Sequence, residues 1–159
     1  MIEQLSSFVT NASYKDMSAE ALRQIKVRVL DSLACAIGAI EVEPIGRLRN
    51  QIEVFGGRPL ATLIGGRKTS PDRASLYNGA LTQYLRFNDS FLSGPRSCQP
   101  SDIFSAVLAT SEYAGASGKE FLTALAVAYQ VQCRLFEVLP VSATGFGHNA
   151  PEYYAIAAA

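Results

Sequence analysis

Leu22, Ile25, Val29, Leu33 and Ile37 recur at steps of three and four along SAEALRQIKVRVLDSLACAIGAI, and no other feature constrains the fold as much. Ser18 stands before this stripe as an N-cap, and Glu20 lies in the first turn, where the helix dipole favours a carboxylate. The first half carries Arg23, Lys26 and Arg28 on a wet side, while the second half, from Val29 to Ile40, is apolar almost all round. A helix of that kind needs other helices around it. The stripe therefore predicts a helical bundle, with this helix diving into its centre.

The rest of the chain fits a bundle. A short helix covers Ile2 to Val9, and Pro44 opens another that runs to Phe55 and stops at Gly56-Gly57. Ser70-Pro71-Asp72 combines a cap, a proline at the first helical position and a carboxylate in the first turn. That helix turns Ala74, Tyr77, Leu81 and Tyr84 inward. Pro100 starts a helix with Ile103, Phe104, Val107 and Leu108 on its apolar face. Ser117-Gly118-Lys119-Glu120 is a capping box, followed by Leu122, Leu125, Tyr129, Cys133 and Phe136 at helical steps. ATLIG is the one candidate strand, and GGRKT after it is a turn. A phosphate loop is rejected there, because Arg67 separates glycine from Lys68-Thr69. The expected class is mainly α, a helical bundle with at most one short strand. Residues 1–159 read as a single domain that is truncated: the final helix, from Pro151, stops at Ala159 in an apolar run without a C-cap.

Composition removes several function classes. Fourteen basic and fourteen acidic residues balance to zero, so the basic footprint of a nucleic-acid binder is missing. No apolar run reaches the roughly 18 residues of a membrane span. The N-terminus has no basic region followed by an apolar one, so no signal peptide is expected. Cys35, Cys98 and Cys133 are odd in number and widely spaced, which fits free thiols in a reducing compartment and a cytoplasmic protein. Charged residues make up 18% of the chain, and so low a share suggests surface covered by a partner subunit or by further chain.

Chemistry concentrates in two places. RFNDSFLSGPRSCQPSD, from Arg86 to Asp102, holds guanidinium, carboxylate, amide, hydroxyl and thiol groups between two apolar helices. Gln99, Ser101 and Asp102 stand at the helix start marked by Pro100, where free N–H groups suit a carboxylate or phosphate. Asp102 itself reads as a cap of that helix. Cys98 reads as an ordinary loop thiol, and a Cys98–His148 nucleophile–base pair is the alternative. His148 is the one histidine in the sequence. It follows Gly145-Phe146-Gly147 and precedes a helix start, a setting for an acid/base group near neutral pH or for a structural hydrogen bond.

SAEALRQIKVRVLDSLACAIGA, TLIGG, SLYNGALTQYLRFNDS, QPSDIFSAVLA, SGKEFLTALAVAYQVQCRL and GFGHNAPEYYAIAAA follow one another in an order that resembles the N-terminal region of the MmgE/PrpD family. That family includes 2-methylcitrate dehydratase, cis-aconitate decarboxylase and iminodisuccinate epimerase. The resemblance implies a large helical domain, with a smaller α/β lid domain that this sequence lacks. It implies a cofactor-independent homodimer without metal, acting on a small di- or tricarboxylate by moving protons next to a carboxylate. It also assigns residues. His148 and Asp89 become catalytic, and Ser90, Gln99, Ser101 and Arg86 become substrate-binding. Ser90 stands where the family has threonine, and Arg86 and Asn88 stand where it has aspartates. Gln99 replaces a histidine; an amide can hydrogen-bond a carboxylate but cannot carry a proton near neutral pH. Those substitutions leave open a second class, a non-catalytic helical module that binds a carboxylate or a partner subunit.

Overall fold

The computed structural model describes residues 2–93 and 96–138. Among them are six α-helices: α1 Ile2–Asn11, α2 Ala19–Gly38, α3 Glu43–Phe55, α4 Pro71–Tyr84, α5 Phe104–Tyr113 and α6 Gly118–Val138. Local sequence explains their ends. The Ser18 hydroxyl accepts the Ala21 N–H at 3.1 Å and starts α2. Proline stands in the first turn of α3 and of α4. Before α6, Glu120 accepts the Ser117 N–H at 2.7 Å while the Ser117 hydroxyl accepts the Glu120 N–H at 3.3 Å, so the capping box is complete. None of these helices is long and apolar enough to cross a membrane.

The mainly helical class holds, but the strand content is larger than the expected single strand. Two antiparallel hairpins are present: β1 Ala61–Thr62 with β2 Lys68–Thr69, and β3 Phe91–Ser93 with β4 Arg96–Cys98. Lys68-Thr69 read as turn because the segment is polar and follows two glycines. It pairs because Glu112 on α5 accepts both the N–H and the hydroxyl of Thr62, with Lys68 3.9 Å from the same carboxylate. Asn78, buried on α4, accepts the Ile64 N–H at 2.9 Å and donates to the Thr62 carbonyl at 2.8 Å. A polar side chain on the inner face of a helix thus stands in for a missing third strand.

Two hydrophobic clusters share α2. Ala36 and Ala39 join Ile45, Ile52, Leu63, Tyr77 and Leu81 in one. Ile25 joins Ile103, Phe104, Val107 and Leu125 in the other. The second half of α2 does not lie at a bundle centre, as its composition led us to expect. Leu30 is 66% and Ile37 64% exposed, and the buried face is made of small residues, Ser32, Cys35 and Ala36. Composition reports that a segment is apolar all round; which face meets α4 and α6 is set by their packing. Tyr84, expected inward, is also exposed, and Asn78 and Thr82 take inner positions on α4. Where α4 meets α5, a Cβ on Gly79 would lie 2.9 Å from the Ser105 hydroxyl, so the two backbones approach as closely as glycine permits.

Replacing Asn78 by alanine strands two buried backbone groups. We expect Asn78→Ala to lower the unfolding free energy by roughly 2–4 kcal/mol in urea denaturation, and a loss below about 1 kcal/mol would show that water satisfies Thr62 and Ile64 instead.

Candidate functional site

Leu85 caps the end of α4, and Arg86 takes the left-handed conformation, φ 57°, with its N–H on the Gln83 carbonyl. Glycine is the usual residue at such a helix end. The turn delivers the chain into Phe87–Ser90 and buries the Asp89 side chain to 6% exposure. Asp89 Oδ1 accepts the Ser101 N–H at 3.1 Å, and Oδ2 lies 3.9 Å from Arg28 Nε on α2. The Ser101 hydroxyl accepts from Gln83 Nε2 at 3.2 Å. Pro100–Ile103 is a short 3-10 turn leading into α5. Its first-turn N–H groups are already committed, Ser101 to Asp89 and Asp102 to the Gln99 carbonyl. The protein's own carboxylate therefore fills the anion position that the sequence offered to a ligand.

Around this carboxylate lies a concentration of buried polar atoms with no hydrogen-bond partner among the described residues. They are Oε1 of Gln83, Gln99 and Gln132, both amide atoms of Asn88, and the Tyr129 hydroxyl. Native proteins bury few such atoms, and a cluster of them marks a place for water or a polar ligand. Helix α6 closes the cluster. Gln132 Nε2 donates to the Gln99 carbonyl at 3.3 Å. Burial, and after it the charge of Asp89, pushes the Tyr129 phenol far above its ordinary range, so it stays a hydrogen-bond donor. Cys98 and Cys133 meet alongside. The hydrogen bond between the two sulfurs lowers Cys98 and, together with burial, raises Cys133. Cys98 is 3% exposed, packed against Phe136.

The structure brings together Asp89, Ser101 and Gln99, and holds Arg86 and Ser90 at the solvent-exposed edge of the same loop. His148 lies outside the described residues. Sequence reasoning missed the β3–β4 hairpin, although Gly94-Pro95 between its strands is a turn signal. It also missed Tyr129 and Gln132. Tyr129 read as one more member of the apolar stripe of α6, and Gln132 sits four residues after buried Ala128, an inward helical position that should have drawn notice.

Open grooves lie elsewhere on the molecule. A groove of about 570 Å³ runs between α1, α5 and α6, lined by Leu5, Val9, Val107, Val127 and Val131 among others. Its charged rim is already engaged: Lys119 stacks on the Tyr14 ring at 5.5 Å, and Glu120 belongs to the capping box. Its lining is mostly apolar, and its Thr110 and Thr123 hydroxyls return to carbonyls of their own helices, so size alone does not make it the site.

Comparison with known proteins bears on the same loop. The sequence profile of the MmgE/PrpD N-terminal domain matches residues 3–159. A cis-aconitate decarboxylase-like protein, oryM, of Aspergillus oryzae is 25% identical over 140 residues, covering 83% of this chain. The chain spans 29% of that relative's length.

The left-handed Arg86 gives a stability test of the loop. A non-glycine residue pays about 1–2 kcal/mol for that conformation, and glycine returns part of the gain as unfolded-state entropy. Arg86→Gly should raise the unfolding free energy by about 0.5–1 kcal/mol; a loss would mean that the guanidinium stabilises the fold.

Proposed function

The chain belongs to the MmgE/PrpD family, and from that premise we propose that it is the N-terminal helical part of a cofactor-independent lyase or isomerase acting on a small di- or tricarboxylate. The observation that carries the reading is Asp89, a nearly buried carboxylate set beside Ser101, Gln99 and Arg28 inside the matched region. Removing a proton from a carbon next to a carboxylate needs a base and donors that take up the developing negative charge. His148 is the proton carrier in this reading and Asp89 its acidic partner in the site. Gln99 Nε2, the Ser101 and Ser90 hydroxyls and the Arg86 guanidinium bind and orient the substrate carboxylates. The domain continues as one unit through Ala159, the active form is a cytoplasmic homodimer, and a lid beyond this chain completes the cleft.

A second reading, a carboxylate-binding module without turnover, draws support from Gln99, which holds a family histidine's position without its proton chemistry, and from the commitment of Asp89 to Ser101.

Two measurements separate the readings. Citrate at about one hundred times its dissociation constant should stabilise the native chain by about 2.7 kcal/mol, seen as a rise of several degrees in Tm. No rise at any millimolar concentration counts against a site here. In the protein with its lid, His148→Ala should lower turnover of a polycarboxylate by about 100-fold or more; turnover equal to wild type removes His148 from the mechanism, and citrate binding without any turnover favours the second reading.

A further inference from the structure

We propose that α6 is the second wall of this site, with Tyr129 and Gln132 as ligand-contacting residues. The inference rests on the polycarboxylate reading above and adds residues that neither the sequence motifs nor the family match single out. Positions 129 and 132 are one helical turn apart and share a face. Both side chains reach the loop: Tyr129 stands by Asp89 and Arg28, and Gln132 is hydrogen-bonded to the Gln99 carbonyl. Gln132 is 0% exposed, yet its Oε1 has no partner among the described residues, nor has the buried Tyr129 hydroxyl. A core position would be filled more stably by leucine or phenylalanine, since burying polar atoms unpaired is costly. Two such atoms on one helix face, beside Gln99 Oε1 and the Asn88 amide that also lack partners among the described residues, point to a shared ligand.

The two residues would read different parts of that ligand. Tyr129 offers an O–H, a donor suited to a carboxylate that must come close to the like-charged Asp89. Gln132 has its Nε2 committed to a carbonyl, which fixes the amide orientation and leaves Oε1 as an acceptor. It therefore calls for a donor on the ligand, a hydroxyl. Within the polycarboxylate reading, Gln132 thus distinguishes a ligand with a hydroxyl from one without.

Citrate and tricarballylate test this directly, because they carry the same three carboxylates and differ in the central hydroxyl. Calorimetric titration of the chain and of two near-isosteric variants gives four comparisons. Tyr129→Phe should weaken both ligands about tenfold or more, and Gln132→Met should weaken citrate about tenfold while leaving tricarballylate within about twofold. Equal affinities of wild type and both variants for both ligands overturn the inference and leave the polycarboxylate site standing. Failure of the wild-type chain to bind either ligand defeats that reading and this one with it. Protein carrying 13C at tyrosine Cζ supplies the same test without substitution: the Tyr129 resonance should move on adding citrate, and a citrate complex in which it does not move rules out the contact.

Discussion

Asp89 carries a charge into a place where water scarcely reaches, and four parts of the chain meet there. Arg28 comes from α2, the Ser101 N–H from the turn before α5, Tyr129 from α6, and the acid itself from the loop that the left-handed Arg86 directs out of α4. Withdrawing a carboxylate from water costs roughly several kcal/mol unless partners replace the hydration. Here the replacement is partial, one backbone N–H at 3.1 Å and one guanidinium at 3.9 Å. The remaining demand is what keeps the neighbourhood polar.

The scaffold behind Asp89 is built on close approach. Gly79 lets α4 and α5 come together, which brings the end of α4 against the Pro100 turn and sets Gln83 within reach of Ser101. Helix α2 runs through both hydrophobic clusters and so carries Arg28 to the carboxylate with little freedom. The β3–β4 hairpin is pinned from α6 by Phe91 and Phe136, whose rings meet edge to face at 6.4 Å. Loop, turn and helix thus meet between rigid elements, the arrangement that holds polar groups in place for a ligand.

Local signals in the chain were legible and distant ones were not. The Ser18 cap, the Ser117–Glu120 box and the prolines that open α3 and α4 act within one helical turn, and each is where the sequence places it. The loop from Arg86 to Asp102 stood out by its chemistry. What it does with that chemistry did not, because Asp89 and Ser101 are twelve residues apart and Gln99 and Gln132 thirty-three. The exposed flank of α2 at Leu30 and Ile37 was hidden for a related reason: an all-round apolar segment carries no mark of which side is left over. Lys68-Thr69 became a strand through Glu112, a partner no local pattern reveals.

The central claim is that a polycarboxylate meets this chain at the Asp89–Ser101–Gln132 cluster and not in the apolar groove between α1 and α6. Amide NMR of the 15N-labelled chain during citrate addition tests it most directly. The account predicts concentration-dependent shifts at Ser101, Gln99 and the Gln132 side-chain amide, with Leu5, Val9 and Val127 unmoved. Shifts confined to the groove residues, or spread evenly over the surface, would contradict it.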